Sequence, residues 1–378
     1  SSKAVSFRIV VAPTGSGNIT PDSAKSALSL IASGTSSGST TQANMTTVTL
    51  SSGLESLSKL TTFDLLPSIK TAAGIMKTAT ATTSLNAKFV EDTTQTQAAI
   101  NSLRKVTDDR ISAIRNHANL SIPSSAKVYY VSNSGSDSNT GRSPEKAWKT
   151  LSKAASVTGS SYSPAYVLFE RGGTWRGQLT TSAYVTYSAY GTGAKPKIFG
   201  SPLNAGGSSN SSKWVKYSGN IWKLTSTQLK NDIGAVIFND SEFSYKKLSL
   251  SEVKSDLDFY HDYTNGIVYL YSATNPASRY GSIEFNVGYN IITAKSNVTI
   301  DNLCVKYGGK HGVASGNSSK LTVKNCEFAW IGGSLQKPGE TTVRLGNAIE
   351  IWGYCDNFTV IDNYIHQVYD AGITQQIT

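Results

Sequence analysis

The sequence contains few charged residues and few cysteines. The cysteines bear on whether the protein has a zinc site or disulfide bonds. Only 16% of its 378 residues are charged. The three cysteines, Cys304, Cys326 and Cys355, do not have the spacing of a zinc site and do not suggest a disulfide framework. We therefore expect buried free thiols.

Long apolar runs, basic clusters and acidic clusters are also missing. No apolar run approaches the roughly 18 to 20 residues of a membrane helix, so no membrane insertion is expected. The net charge of +10 comes from scattered basic residues without a nucleic-acid motif, which argues against nucleic acid and suits an anionic polysaccharide at least as well. Without an Asp-rich cluster we predict no metal site and no cofactor, with Ca²⁺ left open as an alternative.

A short phrase is repeated three times in the last part of the chain, at residues 298–305, 321–328 and 358–365. A second phrase alternates with it, at residues 312–315, 348–351 and 372–375. Aligning the copies of the first phrase gives three columns: Ile300, Val323 and Val360; Asn302, Asn325 and Asp362; and Val305, Phe328 and Ile365.

The spacing of the copies indicates a solenoid. Ile300 and Val323 are 23 residues apart, whereas Val323 and Val360 are 37 apart. For both phrases, the interval between copies grows by about 13 residues at the same place, between Phe328 and Gly346. One inserted loop explains both changes. A β-sandwich does not explain this coincidence, and leucine-rich repeats need more leucines. Stacked coils would align the apolar columns inside, and we expect the Asn column to form a ladder of amide hydrogen bonds at a bend.

The remainder of the chain divides into three predicted regions. Residues 1–50 are interpreted as an attachment module with a Ser/Thr/Gly-rich linker, 51–122 as a helical stalk and 123–378 as a parallel β-helix. A helix predicted over 93–118 carries a narrow apolar stripe, so it needs a partner helix. An intramolecular hairpin and an oligomeric stalk both satisfy that need. The stripe consists of Ile100, Leu103, Thr107, Ile111, Ile114 and Ala118.

The β-helix region is predicted to begin with a cap at 127–160. It has a tyrosine-rich strand, a polar turn and a helix over 143–154 with Pro144 at its first position. A side excursion with an Asn265-Gly266 hairpin turn follows at about 205–280, and the repeats occupy 297–378. The sequence stops soon after a repeat strand begins, so we expect it to be the front part of a longer protein.

The cap and the repeats together resemble the right-handed parallel β-helix proteins of the pectate-lyase-like superfamily. The resemblance covers about residues 127–378 and implies a mainly β solenoid behind an N-terminal helical region. That superfamily includes polysaccharide lyases, glycoside hydrolases, epimerases, adhesins and phage tailspikes. The fold alone therefore does not determine the function.

Candidate catalytic residues lie on the outward face of the coil, because inward positions are committed to stacking. If Val313 and Ile349 point inward, Glu350 points outward. A lyase needs a base and a cation, for which Lys310, His311 and Arg344 are candidates. A hydrolase needs two carboxylates, for which Glu350 and Asp370 are candidates. The inserted loop also carries Glu340.

Four aromatic residues are candidates for sugar binding. Tyr260 and Tyr263 belong to the excursion, and Trp330 and Trp352 belong to the repeats. Aromatic faces stack on sugar rings, although the excursion tyrosines can equally serve to pack that segment against the coil. His261 and His366 are interpreted as structural.

The preferred functional hypothesis is a phage or phage-like tailspike that binds and depolymerises a bacterial surface polysaccharide. This hypothesis predicts an extracellular homotrimer on a virion tail, attached to particle or tail baseplate proteins through the N-terminal region. The alternatives are a secreted bacterial polysaccharide lyase or glycoside hydrolase, and a non-catalytic adhesin.

Overall fold

The computed structural model describes residues 7–11, 48–50, 87–91, 93–337, 339 and 342–376. The chain forms two compact units, Ser1–Asp109 and Arg110–Thr378. In the first unit, strand Phe7–Val11 pairs antiparallel with both Val48–Leu50 and Ala87–Glu91. The predicted stalk residues 51–86 and the candidate Glu340 lie outside the described residues.

The second unit is a parallel β-helix built from three sheets. Sheet 1 contains Lys127–Val131, Ala165–Glu170, Val185–Tyr190, Val298–Asp301, Leu321–Lys324 and Thr359–Ile361. The coil strands of sheet 2 are Thr174–Arg176, Lys197–Phe199, Cys304–Gly308, Glu327–Ile331 and Tyr364–Val368. Sheet 3 contains Leu179–Thr180, Ile292–Ala294, Val313–Ser319, Ile349–Asp356 and Ile373–Gln376.

The register of the strands confirms the columns that the repeats predict. Ile300 pairs with Val323 and Val323 with Val360 in sheet 1. In sheet 2, Phe328 lies between Val305 and Ile365. The inserted loop is a hairpin of strands Ser334–Leu335 and Arg344–Leu345, placed where the spacing predicts it.

Inward-facing residues of all three sheets form one continuous core. Val305 and Phe328 are fully buried, as are Val313 and Ile349 on sheet 3. Because neighbouring coils place equivalent side chains directly above one another, each apolar residue is buried by its counterparts in the coils on either side. Chemistry on this scaffold must therefore use outward positions.

The turns between sheets have a periodic left-handed backbone. Asn302, Asn325 and Asp362 have φ of +58°, +53° and +56°. Asn and Asp tolerate this region better than other non-glycine residues, which explains their recurrence at this bend. Within the strands of sheet 2, Tyr307, Trp330 and Gln367 occupy equivalent positions and adopt the same region, with φ of +63°, +55° and +46°.

The expected ladder of amides at the Asn column is wrong in its detail. The amide of Asn325 donates to the carboxylate of Asp301, at 2.7 Å, and not to Asn302. The Asn302 amide instead donates to the backbone carbonyls of His117 and Ala118. The left-handed turn recurs in each coil, but the side chains bond to partners outside the column, and for Asn325 that partner is a carboxylate, a stronger acceptor than an amide.

The cap helix is shorter than the predicted span 143–154. A 3₁₀ turn at Pro144–Lys146 is followed by extended backbone, and only Leu151–Ala155 is α-helical, with Thr150 as its N-cap. Trp148 breaks the helix because it bridges to the first strand of sheet 1 and stacks on Tyr129, with ring centroids 4.7 Å apart. Tertiary packing of one large aromatic residue thus overrides the helical pattern.

The excursion forms its own five-stranded sheet beside the coil. Its strands are Val215–Ser218, Ile221–Thr225, Tyr245–Lys247, Asp258–Asp262 and Ile267–Tyr271. The last two form the predicted hairpin, with Gly266 at φ +67°. Two further strands, Ile233–Phe238 and Ile283–Val287, connect the excursion to sheet 2, and Glu242–Phe243 extends that edge. The short helix Pro276–Arg279 precedes the return to the coil.

His261 is buried in the excursion and contacts backbone through both ring nitrogens, which fits a structural role. Nδ1 accepts from the Ile233 amide, and Nε2 lies 2.8 Å from the Leu229 carbonyl. Burial lowers the pKa of this imidazole to about 4, so the ring is neutral at pH 7.

The long helix Thr93–Arg115 ends against sheet 2. The Arg115 guanidinium donates two hydrogen bonds to Glu327, at 2.7 and 3.0 Å. His366, predicted as structural, stacks on Tyr364 and lies 3.2 Å from the same carboxylate. These partners hold the pKa of Glu327 at about 2, against the opposing effect of burial. This cluster therefore fixes the end of the helix.

The expectations about cysteines, membrane helices and metal sites can each be compared with the described residues. Cys304, Cys326 and Cys355 are buried free thiols, as predicted. No helix in these ranges is long and apolar enough to span a membrane. They also contain no group of three or more His, Cys, Asp and Glu side chains suited to a metal ion.

Truncating the core column provides a test of the stacking. Phe328→Ala removes a fully buried ring between Val305 and Ile365, and we expect it to lower the free energy of unfolding by about 3–5 kcal/mol. Ile361→Ala is the control, since Ile361 is half-exposed on sheet 1, and should change it by less than about 0.5 kcal/mol. Chemical denaturation measures both, and equal losses would contradict the register.

Candidate active site

The outward face of sheet 3 forms the floor of a groove of about 370 Å³. Thr293, Ala314 and Glu350 are consecutive members of one outward column. Loop residues that precede the strands and residues of the inserted hairpin contribute to its lining. The groove is lined by Asn290, Thr293, His311, Ala314, Ser315, Gly316, Gln336, Leu345, Asn347, Glu350, Trp352, Asp370 and Gln376.

Glu350 is the buried carboxyl of the groove. Its outward position on the coil is covered by the surrounding walls, which leave it only 4% exposed. Burial raises its pKa, the Asn347 side chain opposes the rise by donating a hydrogen bond to Oε2, and the negative charge of Asp370 adds to it. Glu350 therefore retains its proton to higher pH than an ordinary glutamate.

Asp370 is the second carboxyl of the groove and lies in the turn before the last strand of sheet 3. Its backbone amide donates to the Gly346 carbonyl, at 3.1 Å, which fixes the turn against the preceding coil. Its side chain is exposed. The groove thus joins a buried carboxyl with a raised pKa to a solvated one, an arrangement suited to acid–base division of labour.

Asn347 connects the components of the groove. Its side chain donates to Glu350 and accepts from the Ala371 amide at 3.0 Å, while its backbone amide donates to Nδ1 of His311 at 3.2 Å. Asn290 continues the same line by accepting from the His311 amide, at 3.3 Å. A ladder of side-chain hydrogen bonds therefore crosses the coils here, at a different turn from the one that the sequence predicts.

His311 lines the groove but is poorly suited to the predicted role of base. Burial lowers its pKa to about 4, and the Lys310 ammonium favours the neutral ring further. Because Nδ1 accepts the Asn347 amide, the proton of the neutral ring resides on Nε2. The ring can then donate a hydrogen bond from Nε2 but has no lone pair there to receive a proton.

The structure does not gather the other lyase candidates around His311. Lys310 directs Nζ towards the backbone carbonyl of Gln336, at 3.4 Å, and does not line the groove. Arg344 lines a different cavity, on the other side of the hairpin. Alternate residues of a strand point to opposite sides, so Leu345 faces the groove and Arg344 faces away from it.

The aromatic candidates occupy three different environments. Trp352 lines the groove and is 46% exposed, so its ring is available to a ligand. Trp330 is buried and contributes to the wall of the second cavity. Tyr260 stacks on Tyr269 on the excursion sheet, and neither it nor Tyr263 lines either cavity. The Tyr260 ring therefore packs within the excursion sheet.

Sequence reasoning missed Asn347 and Asn290. Asn347 stands immediately before the repeated phrase that contains Glu350, at the position that His311 occupies one coil earlier. The shared position was a usable signal. Asn290 lies outside the aligned copies, so the repeats give no sign of it.

Comparison with known families agrees with the fold. Residues 290–377 match the family described as "Right handed beta helix region". The prediction of a right-handed parallel β-helix is thereby confirmed for the repeats, and the strand pairing extends the coil back to Lys127. No curated protein sequence matches the chain.

Several solved structures are similar to part of the chain. A complex of XylC with xylose is 14% identical with a TM-score of 0.44, covering 54% of this chain and 40% of that one. A GH136 lacto-N-biosidase from Eubacterium ramulus is 15% identical with a TM-score of 0.34, covering 65% and 35%. A rhamnogalacturonan lyase is 11% identical with a TM-score of 0.30, covering 66% and 54%. The chain thus spans about a third to a half of these proteins, and functional reasoning rests on the groove itself.

The Asn347 bond and the Asp370 charge should move the pKa of Glu350 in opposite directions. Asn347→Ala removes a hydrogen bond to the carboxylate and should raise that pKa further. Asp370→Asn removes a nearby negative charge and should lower it. Titration of ¹³C-labelled glutamate carboxyls by NMR, with the Glu350 signal assigned by its loss in Glu350→Gln, measures both shifts.

Asn290→Ala is the matched control for this titration. Asn290 lines the same groove and bonds the His311 backbone, but it makes no hydrogen bond to Glu350 among the residues described. Its replacement should leave the Glu350 signal in place. An unchanged titration in both Asn347→Ala and Asp370→Asn would show that the groove does not control this carboxyl.

Proposed function

We propose that this chain processes polysaccharide by hydrolysing glycosidic bonds in the groove on sheet 3. The observation that carries the proposal is the pair of carboxyls in one groove, Glu350 buried with a raised pKa and Asp370 solvated. Hydrolysis of a glycosidic bond needs one protonated carboxyl and one carboxylate on either side of the bond.

The environments assign the roles. Glu350 is the general acid that protonates the leaving glycosidic oxygen, because burial favours its protonated form. Asp370 is the carboxylate that assists the attacking water or the developing positive charge at the sugar. Asn347 is a positioning residue, since it bonds both the Glu350 carboxyl and the turn that carries Asp370.

The other groove residues suit sugar binding. Trp352 offers a half-exposed ring for stacking on a sugar face. Nε2–H of His311 and the amide groups of Asn290 and Gln336 are hydrogen-bonding partners for hydroxyls. A β-elimination is less well supported, because Lys310 and Arg344 do not join His311 in the groove and His311 lacks a free lone pair at Nε2.

Glu350→Gln tests the catalytic assignment. On polysaccharides that the wild-type protein cleaves, the variant should lose about 10²–10⁴-fold in kcat, because the leaving group is no longer protonated. Reducing-end assays on capsular, O-antigen and uronate polysaccharides measure the rate. Lys310→Ala is the control and should retain most of the activity.

The product distinguishes the reaction classes. Hydrolysis releases reducing ends without new ultraviolet absorbance, whereas a lyase product is unsaturated and absorbs. Absorbing products, or full activity of Glu350→Gln, would contradict the proposal. Binding without either product would favour a non-catalytic adhesin.

We further propose that the chain is part of a phage or phage-like tailspike acting on a bacterial surface polysaccharide. In this proposal residues 1–50 attach to particle or tail baseplate proteins and the helix belongs to a trimeric stalk. Support comes from the helix Thr93–Arg115, on which Ile100, a member of the apolar stripe, is 37% exposed. Exposed apolar residues on a long helix are typical of packing against other chains. A secreted enzyme is the alternative.

The oligomeric state separates these two settings. A tailspike should have three times the chain mass in light scattering, and Ile100→Asp should weaken the trimer by placing a charge in the stalk interface. Ser102→Asp adds the same charge on the opposite side of the helix and should leave the trimer intact. A monomeric wild-type protein would contradict the tailspike proposal.

A further inference from the structure

A second cavity of about 520 Å³ lies beside the hairpin Ser334–Leu335 and Arg344–Leu345, between sheet 2 and the excursion. We call it the aromatic cavity. Three half-exposed rings line it: Phe243 at 50%, Tyr245 at 54% and Tyr369 at 54% exposure. Aromatic rings exposed in a concave site offer faces on which sugar rings stack.

The aromatic cavity also carries a cation that has no acidic partner among the described residues. Lys246 is paired with Asp232 at 2.6 Å, and Lys247 with Asp258 at 3.0 Å. Arg344 forms no ion pair with any acidic side chain in the described part of the chain. The positive charges of the two lysines are thus neutralised, and the guanidinium of Arg344 remains to bind an anion. Guanidinium groups bind carboxylates in a planar, two-bond geometry.

Two unsatisfied polar groups lie in the wall of this cavity. The indole N–H of Trp330 is buried without a hydrogen-bond partner among the described residues. The side-chain oxygen of Asn286, also in the wall, is unpartnered in the same way, while its amide donates to the Trp330 carbonyl at 2.9 Å. Most buried polar groups in proteins have a hydrogen-bond partner, so these two call for one outside the described residues.

The aromatic cavity and the catalytic groove share a boundary. Leu345 lines the groove and the preceding residue, Arg344, lines the aromatic cavity. The same division occurs in the turn, where Tyr369 faces the cavity and Asp370 the groove. Consecutive Cα atoms are about 3.8 Å apart, so the two sites lie on opposite sides of one thin wall. A polysaccharide chain that passes over the edge of this wall can contact both sites.

We infer that the aromatic cavity is a substrate subsite for an acidic sugar, with Arg344 binding its carboxylate. The inference rests on the proposed hydrolysis, and it specifies the substrate class: a polysaccharide that carries a carboxylate-bearing residue close to the bond cleaved beside Glu350. Phe243, Tyr245 and Tyr369 hold the ring of that sugar, and Arg344 selects its charge. Arg344 is on this account a specificity residue and not a catalytic one.

The test measures binding in the Glu350→Gln background, so that turnover does not interfere. The probes are alginate, polygalacturonate, hyaluronan and uronate-containing bacterial capsular polysaccharides, each in native form and with its carboxyls reduced to alcohols. The Glu350→Gln protein should bind at least one native polymer about ten-fold or more tightly than the reduced form. Adding Arg344→Ala should remove this preference, and Arg344→Lys should retain part of it.

Lys230→Ala is the matched control, since it removes one exposed positive charge away from both cavities and should leave the preference unchanged. Equal binding of native and reduced polymers, no binding of any acidic polymer, or an undiminished preference after Arg344→Ala would overturn the subsite. An Arg344-dependent preference in a protein whose wild type releases no reducing ends would uphold the subsite and overturn the hydrolysis. Cleavage of native and reduced polymers at equal rates would uphold the hydrolysis and overturn the subsite.

Discussion

Parallel, in-register stacking of coils is the constraint on which this structure depends. Val305, Phe328 and Ile365 occupy one column because each coil repeats the path of the last, and burial of such columns stabilises the solenoid. Each inward residue is fixed by the neighbours above and below it. Variation is tolerated only outside the coil, at outward positions and in the loops between sheets. The inserted hairpin and the excursion both use that freedom, and the two cavities lie beside them.

The division between inside and outside also shapes the electrostatics. Glu350 is outward on the coil yet buried by the groove walls, and this combination raises its pKa without placing a charge in the apolar core. Two buried charges elsewhere are paired, Glu327 with Arg115 and Lys246 with Asp232. Such pairs fix structure, because removal of one partner would leave the other charged and poorly solvated. The groove differs because it holds two carboxyls, and the described residues of its lining include no lysine or arginine.

Much of the fold could be predicted from the sequence, because the repeats encode a one-dimensional pattern. The columns, the inserted loop and the outward position of Glu350 all follow from the spacing of two short phrases. The cap helix could not be predicted in full, since Trp148 packs on Tyr129 and breaks it. The separation of Arg344 from the groove depends on the side to which a hairpin strand turns, and the aromatic cavity combines the excursion with sheet 2. Neither is contained in a periodic signal.

A crystal structure of Glu350→Gln with a bound oligosaccharide from a cleaved polymer would test hydrolysis in the groove directly. We expect a sugar chain along the groove on sheet 3, with a glycosidic oxygen within about 3 Å of the side chain of residue 350 and Asp370 beside the adjoining anomeric carbon. An oligosaccharide bound away from Glu350 and Asp370 would contradict it.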